Sequence, residues 1–205
     1  MADSYPYTAS HTAPLRAPGQ QAQQGAGVVW LSGLSGAGKS TVAAALDTVL
    51  RDAGLRTAML DGDQLRRGLC KDLAYTAADR HENLRRAGEV CKLFTDMGLI
   101  VIAAFVSPAQ ADRDMVRALA GGVFFEVYCD APLAVCEARD VKGLYARARR
   151  GALPDFTGIS APYEIPLAPA LALDTASQPV RRNVARIVAL LAAHGLVPAH
   201  LADAA

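Results

Sequence analysis

The sequence predicts an α/β fold in which a mainly parallel five-stranded sheet carries helices on both faces. Short apolar runs alternate with segments of helical periodicity along most of the chain, which is the order expected for such a sheet. The run at residues 99–107 is apolar up to its final serine, as in a strand that is covered on both sides. With 205 residues, the chain has the length of one domain with a substantial core.

The strands are recognised by their length and by their β-branched and aromatic residues. Residues 28–32 form a buried run that ends at a glycine, and residues 56–63 end in two acidic side chains. Residues 123–130 and 171–175 supply the last two strands. Because parallel strands present their carboxyl ends at one edge, the residues that follow them should share one crevice.

The helices are recognised by their period. In residues 40–54, apolar side chains recur at helical spacing until Gly54. Residues 79–98, 111–122 and 179–195 show the same pattern, and Pro132 begins a further helix predicted over residues 132–151. Residues 154–170 contain too many prolines and glycines for regular structure.

The composition limits the other properties of the chain. Residues 1–27 are rich in Ala, Pro, Gln and Gly and are predicted to be a disordered extension, residues 28–197 to be the domain, and residues 198–205 to be a tail. A net charge of +1 predicts no binding to nucleic acid or to an anionic membrane, and no apolar run reaches the ~18 residues of a span. The four cysteines lack metal-site spacing and predict free thiols in the cytoplasm.

The stretch "GLSGAGKS" at residues 33–40 carries the first functional signal. It matches the phosphate-binding pattern G-x-x-x-x-G-K-[ST], with a predicted strand before it and a predicted helix after it. A flexible turn would explain the glycines but not the lysine and serine at their fixed places. We therefore predict a P-loop (residues 33–40) that binds ATP, with Lys39 on its phosphates and Ser40 on Mg²⁺. The residues predicted to bind the nucleotide around this loop are Gly33, Ser35, Gly36, Ala37, Gly38, Lys39, Ser40 and Thr41.

Other features favour a small-molecule kinase among P-loop proteins. The chain lacks the N-K-x-D motif with which GTPases read guanine, and its third strand does not end in the carboxylate typical of motor and transporter ATPases. Asp61 and Asp63 instead follow the second strand. Asp63 is predicted as the base or orienting group for an acceptor hydroxyl, and Asp61 as a Mg²⁺ ligand through water. The alternative for Asp63 is an N-cap of a short helix.

Several longer stretches resemble the adenylylsulfate kinase (APS kinase) family. They are "LDGDQLRRGLCKDLAYTAADRHENLRRAGEV" from residue 60, "IVIAAFVSP" from residue 100, "DRD" from residue 112, "EVYCDAPLAVCEARDVKGLYARARRG" from residue 126 and "DFTGISAPYE" from residue 155. Together with "GLSGAGKST" they cover about residues 28–175. The resemblance implies a three-layer P-loop kinase fold and phosphorylation of the 3′-hydroxyl of adenosine 5′-phosphosulfate (APS) by MgATP, which gives PAPS and ADP.

The resemblance also implies roles for single residues. Arg66, Arg80 and Asn83 match family residues that hold the phosphosulfate and nucleotide, and guanidinium groups suit both anions. Tyr75 and Phe156 match the two aromatic rings around the APS adenine, although the family usually has Phe at the first position. Lys142 matches a lysine near the substrate phosphosulfate or the nucleotide, and Arg139 matches an arginine on the ATP adenine. Residues 142–164 match the family's mobile lid.

Two further positions and the assembly complete these expectations. Ser107 matches a serine that could be read as a covalent phosphate acceptor, but no base accompanies it, so direct in-line transfer is simpler. Ala109 and Gln110 stand where the family often has Tyr-Arg, which affects the packing around APS. The resemblance implies a homodimer that acts in sulfate assimilation. A partner enzyme of sulfate activation is a further expectation. The alternatives are a P-loop kinase for another small acceptor and a catalytically silent nucleotide-binding subunit.

Overall fold

The computed structural model describes residues 24–204 and contains the predicted parallel sheet. Its strands lie in the order β2-β3-β1-β4-β5, and every neighbouring pair is parallel. The strands are β1 (Gly27–Ser32), β2 (Thr57–Asp61), β3 (Ile100–Ala104), β4 (Phe124–Asp130) and β5 (Leu171–Asp174). The α/β fold class is therefore confirmed.

Helices cover both faces of this sheet. They are α1 (Lys39–Asp52), α2 (Gly62–Arg67), α3 (Ala77–Asp96), α4 (Gln110–Ala120), α5 (Leu133–Arg139), α6 (Leu144–Arg149), α7 (Val180–Ala193) and α8 (His200–Ala204). One apolar core lies between the sheet and the pair α1 and α7, and a second lies between the sheet and the pair α3 and α4. The central strand β1 contributes to both cores, with Val29 and Leu31 on one side and Val28 and Trp30 on the other.

The helix predicted over residues 132–151 is two helices, α5 and α6. Asp140 ends the first of them and Gly143 precedes the second in a left-handed conformation at φ 63°. The Asp140 carboxylate accepts hydrogen bonds from the backbone N–H groups of Tyr145 and Ala146, at 3.0 Å each. These hydrogen bonds support the start of a second helix, which a continuous helical period cannot reveal.

The chain ends also differ from the sequence prediction. Gln24 and Gly25 fall in the predicted extension, yet Gly25 donates a backbone hydrogen bond to Leu196 and Gln24 bonds to the backbone of Arg56. Helix α8 falls in the segment predicted as a tail. The remainder of the predicted extension lies outside the described residues.

Two predicted strands are shorter in the structure. Strand β2 ends at Asp61, because this residue is the N-cap of helix α2, and β3 ends at Ala104. Beyond β3 the chain turns, and Ser107 takes a positive φ of 38°. Since all five strands run in one direction, the P-loop, the start of α2 and the turn after β3 lie at the same edge of the sheet.

Candidate active site

The P-loop wraps the start of helix α1, and within it the backbone N–H of Ala37 donates to the carbonyl oxygen of Leu34 at 3.1 Å. Gly38 precedes the helix at φ 90°, no side chain caps the helix, and its first turn holds no acidic residue. A Cβ added to Gly33 would lie 2.7 Å from the carbonyl oxygen of Cys129, and one added to Gly36 would lie 2.8 Å from that of Cys136. The glycines are therefore required by close packing, and the loop offers an uncapped helix N-terminus to an anion.

Lys39 is folded back into the P-loop. Its Nζ donates to the carbonyl oxygens of Gly33 at 3.0 Å and Leu34 at 2.7 Å, and its side chain is buried. Burial lowers the pKa of Lys39 from 10.5 to about 8. Uncharged acceptors thus hold this cation, and the phosphates of a nucleotide are a stronger partner for it.

Ser40 and Asp61 meet directly beside the P-loop. The Ser40 hydroxyl donates to Oδ2 of Asp61 at 2.7 Å, and the other carboxylate oxygen accepts from the backbone N–H of Asp63 at 2.9 Å. Asp61, rather than Asp63, is therefore the N-cap of helix α2. This leaves the Asp63 carboxylate free of the capping role that was the alternative to a catalytic one.

The oxygen donors at this position fit a magnesium ion. Mg²⁺ prefers one or two protein oxygens together with phosphate oxygens and water, which matches one hydroxyl and one carboxylate next to a phosphate site. Among residues 24–204 there is no cluster of three His, Cys, Asp or Glu side chains that could enclose a metal. Ser40 and Asp61 thus suit a metal that is shared with a nucleotide.

The side chain of Asp63 pairs with Lys142. Both groups are about half exposed, at 54% and 55%, and the contact spans from the start of helix α2 to the loop between α5 and α6. Residue 142 begins the segment predicted to be a lid. The structure therefore brings the predicted base and the predicted substrate lysine together.

Arg66 and Arg80 lie side by side and neither forms a salt bridge within the described part of the chain. Arg66 donates to the carbonyl oxygen of Ala74 at 2.7 Å and stacks over the Tyr75 ring at 4.4 Å. Burial, and then the charge of Arg66, lower the pKa of Arg80. Two neighbouring guanidinium groups that form no salt bridge in the described range suit an anion.

Arg80 also joins two parts of the chain that are distant in sequence. Its Nε donates to the carbonyl oxygen of Tyr75 at 2.9 Å, and its other nitrogens donate to the Thr157 hydroxyl at 2.8 Å and to the carbonyl oxygen of Asp155. These contacts set Tyr75 and the neighbour of Phe156 on either side of one guanidinium group. Tyr75 is 63% exposed, so its ring is accessible to a ligand.

Asn83 and Phe156 differ in how much of each faces solvent. Asn83 is buried on helix α3, and its Nδ2 has no hydrogen-bond partner among residues 24–204. Phe156 is half-buried, packs against the core next to α1 and α7, and contacts the Tyr145 ring edge-on. A buried amide donor without a partner is costly unless a ligand accepts from it.

Arg139 lies at the opposite side of the P-loop. It donates to the carbonyl oxygen of Gly36 at 3.1 Å and to that of Thr175, after strand β5, at 2.8 Å. This position, beside the start of α1 and away from Arg66 and Arg80, agrees with a role at the base of the nucleotide rather than at the acceptor. Ser35 and Thr41, also predicted to bind the nucleotide, lie in the P-loop and at the exposed start of α1.

Ser107 is buried within the turn after strand β3. The indole N–H of Trp30 donates to its hydroxyl at 3.1 Å, and the hydroxyl is 3.4 Å from the carbonyl oxygen of Phe105. Only 2% of the residue is exposed. Its surroundings therefore suit a structural hydroxyl better than a phosphate acceptor.

Two groups that the sequence analysis did not single out contact the site. The Tyr145 hydroxyl donates to the carbonyl oxygen of Ser35 in the P-loop at 2.8 Å. Arg113 is fully buried, lies 2.8 Å from the Glu126 carboxylate, and donates to the carbonyl oxygens of Ser107 and Glu164. Both residues stand in quoted motifs, but their partners are distant in sequence, so no local signal marks them.

All four cysteines are free and buried, as their spacing predicted. None of the helices in the described range is long and apolar enough to cross a membrane.

Comparisons with known proteins show the family to which the chain belongs. The profile of the family described as Adenylylsulphate kinase matches residues 25–174. An adenylyl-sulfate kinase of Shewanella amazonensis is 53% identical over 181 residues, which are 88% of this chain and 91% of that protein. One of Marinobacter nauticus is 53% identical over 171 residues, or 83% of this chain and 86% of that protein.

A solved structure leads to the same family. The APS kinase of Mycobacterium tuberculosis, in complex with AMPPNP and APS, superposes with a TM-score of 0.79 at 43% identity. The superposition covers 82% of this chain and 98% of that one. From the match over residues 25–174 and from these relatives, the chain belongs to the adenylylsulfate kinase family of ATP-dependent kinases.

Proposed function

We propose that this protein transfers the γ-phosphoryl group of ATP to the 3′-hydroxyl of APS and releases PAPS and ADP. One observation carries the proposal: Arg66 lies on the helix that Asp61 caps and stacks on Tyr75, Arg80 bonds to Thr157 beside Phe156, and neither arginine forms a salt bridge among residues 24–204. An anion, a hydroxyl and a purine ring on one small molecule match these three features. APS has all of them.

The acceptor is proposed to bind by its anion and by its base. Arg66 and Arg80 donate to the phosphosulfate, and the buried Nδ2 of Asn83 supplies a further donor on the same side. Tyr75 and Phe156 stack on the adenine. Tyr75 offers an exposed ring in place of the usual phenylalanine, so the stacking surface is retained.

The donor is proposed to bind along the P-loop. The loop N–H groups and Lys39 hold the phosphates of ATP, and Arg139 packs on its base. Ser40 and Asp61 would hold Mg²⁺ next to the β- and γ-phosphates. When bound there, the ion supplies positive charge that offsets the charge of the phosphate oxygens.

The chemical step is proposed to be a direct in-line displacement. The 3′-oxygen forms a bond to the γ-phosphorus as the bond from that phosphorus to the bridging oxygen of ADP breaks. Asp63 orients the hydroxyl and accepts its proton, and Lys142 leaves Asp63 for the substrate anion. A phosphorylated Ser107 has no part in this route.

The segment 142–164 is proposed to act as the lid. Within this segment, Lys142 contacts Asp63, Tyr145 contacts the P-loop, and Thr157 contacts Arg80. The segment therefore touches each part of the site. Closure over both substrates would exclude water and favour transfer to APS over hydrolysis.

We also propose a homodimer, a sulfate-activation partner and a cytoplasmic location. Light scattering on the purified protein tests the homodimer.

The test is ADP release from MgATP by the purified protein. Reactions without acceptor, with APS, with gluconate, with shikimate and with AMP are compared, and the nucleotide product is identified by chromatography. ADP and PAPS that form only with APS support the proposal. Stimulation by another acceptor would reassign the substrate, and binding of ATP and APS without turnover would indicate a silent subunit.

A further inference from the structure

Tyr145 stands between the two proposed substrate sites. It lies in helix α6, only 1% of it is exposed, and its hydroxyl donates to the carbonyl oxygen of Ser35 at 2.8 Å. This is the single hydrogen bond between the segment 142–164 and the P-loop in the part of the chain that is described. Burial raises the pKa of the Tyr145 hydroxyl, so the group remains a protonated donor.

The other side of the same ring meets the proposed adenine platform. The rings of Tyr145 and Phe156 are 5.1 Å apart at 82°, which is the favourable edge-to-face arrangement. The carbonyl oxygen of Phe156 accepts from the N–H groups of three following residues, so the backbone that carries the ring is fixed by a turn. The position of the Phe156 ring then depends mainly on the side chains that it touches.

The buried side chain of Tyr145 therefore contacts both the P-loop, which is proposed to bind ATP, and the Phe156 ring, which is proposed to bind APS. The other side-chain hydrogen bonds that join the segment to the site lie on the acceptor side, where Lys142 bonds to Asp63 and Thr157 bonds to Arg80, and Gly158 packs against Leu34 of the P-loop. Phosphates bound to the P-loop would fix the Ser35 peptide. The fixed carbonyl would hold the Tyr145 ring, and the ring would hold Phe156 in place before APS arrives.

We propose that Tyr145 is a positioning residue that couples the binding of ATP to the binding of APS. This inference rests on the proposed function, since it assigns APS to the Phe156 side. The hydrogen bond to Ser35 sets the scale of the effect. The net contribution of such a bond corresponds to a coupling of about threefold to tenfold in affinity.

The test compares APS binding with and without a donor analogue. Calorimetry gives the dissociation constant of APS for the protein alone and for the protein saturated with Mg²⁺ and AMPPNP, and the coupling is the ratio of the two. The variants are Tyr145→Phe, which loses only the hydroxyl, and Tyr163→Phe as a matched control. Tyr163 lies in the same segment, and its buried hydroxyl faces that of Ser32 without normal hydrogen-bond geometry, so Tyr163→Phe removes a buried hydroxyl but no hydrogen bond to the P-loop.

We expect a ratio well above one for the wild type and for Tyr163→Phe, and a ratio close to one for Tyr145→Phe. The affinity of Tyr145→Phe for APS alone should match that of the wild type, which separates coupling from a general loss of structure. A wild-type ratio of one, or an unchanged ratio in Tyr145→Phe, would overturn the proposal. Phe156→Leu provides a second variant that keeps the hydroxyl bond, and its ratio should also fall to about one.

The proposed function is tested separately by wild-type turnover. If APS does not stimulate ADP release, the assignment of APS itself fails. If APS-dependent turnover is present and Tyr145→Phe keeps the wild-type coupling ratio, only the inference about Tyr145 fails.

Discussion

The ammonium group of Lys142 contacts the carboxylate of Asp63, so the first residue of the segment 142–164 lies on the proposed catalytic base. Both side chains are about half exposed, and an ion pair of this kind contributes little to folding stability. The pair is better understood as a resting arrangement of the site. In this arrangement, Asp63 is bonded to Lys142 instead of to a substrate hydroxyl. Lys142 is bonded to Asp63 instead of to a substrate anion.

The first prediction concerns Asp63 itself. Asp63→Asn keeps the size of the side chain but removes its negative charge, so it can neither accept a proton nor pair with Lys142. We expect kcat to fall by about 100-fold or more, with both nucleotides still bound, because general-base catalysis contributes on that scale. Turnover and calorimetric binding measure the two effects.

Asp72→Asn is the matched control for Asp63→Asn. Asp72 is an exposed carboxylate that pairs with Arg86 on the surface, so its loss should leave turnover unchanged. Wild-type turnover in Asp63→Asn would remove the base hypothesis.

The second prediction separates structure from chemistry at Ser107. Ser107→Ala leaves the Trp30 indole N–H buried without its acceptor, which should lower the free energy of unfolding by about 1–3 kcal/mol. The folded variant should keep substantial turnover, because the proposed transfer is direct. Urea unfolding and an ADP-release assay measure the two quantities.

The same substitution in a Trp30→Phe protein tests whether the loss of stability comes from the indole N–H. In Trp30→Phe, the indole N–H is absent, so adding Ser107→Ala should cost less stability than it does in the wild type. Loss of turnover in a well-folded Ser107→Ala protein would restore the phosphate-acceptor hypothesis.

The parts of the site that have local sequence signals could be predicted. The P-loop, the Asp61–Asp63 pair and the helix that follows each strand are marked by neighbouring residues, since a glycine pattern or an apolar period is read within one window. The break between α5 and α6 was missed, although Gly143 marks it, because the helical period continues through residues 140–143.

Contacts between distant residues could not be predicted in this way. The burial of Ser107 depends on Trp30, which is 77 residues away, and the bond of Tyr145 depends on Ser35, which is 110 residues away. Such partners are chosen by the packing of the sheet and its helices. A single sequence carries no direct sign of them.

The third prediction concerns the buried ion pair beneath the turn after β3. The side chains of Arg113 and Glu126 are 0% and 2% exposed and lie 2.8 Å apart. Arg113→Met should lower the free energy of unfolding by about 3–5 kcal/mol, because it removes the buried positive charge next to the Glu126 carboxylate, although that contact lacks hydrogen-bond geometry. The variant also removes the donors that tie Ser107 to Glu164.

Arg117→Met is the control, because Arg117 pairs with the same carboxylate at 3.0 Å but is 44% exposed. Its loss should cost no more than about 1 kcal/mol. Equal losses in the two variants, measured by urea unfolding, would contradict the role of buried charge.

The fourth prediction concerns the start of the domain. The side-chain amide of Gln24 donates to the carbonyl oxygens of Arg56 and Gly98 and accepts from the N–H of Arg56. Removal of residues 1–23 should leave stability and turnover unchanged, as their composition predicts. Removal of residues 1–25 should lower the midpoint of thermal unfolding, because those bonds and the one from Gly25 to Leu196 are lost. Identical melting of the two truncated proteins would count against this.

The fifth prediction follows from the pKa of Lys39, which burial lowers from 10.5 to about 8. In the folded protein this group loses its proton as the pH rises through about 8, whereas in the unfolded chain it keeps the proton up to about 10.5. Between these values the unfolded chain binds more protons, so Lys39 makes stability increase with pH over that window. Binding of ATP shows the opposite trend, because the phosphates require the charged form.

We therefore expect the affinity for ATP to decline above pH 8 and ATP binding to take up protons there. Calorimetry at pH 8.5 in two buffers of different ionisation enthalpy measures the uptake directly, and at pH 7 the contribution of Lys39 should be close to zero. Lys39→Arg keeps its charge through the same window and should show no uptake from this position. If the wild type binds ATP at pH 8.5 without taking up protons, Lys39 is already charged in the free protein, and the buried cation is stabilised by the Gly33 and Leu34 carbonyls more strongly than burial destabilises it.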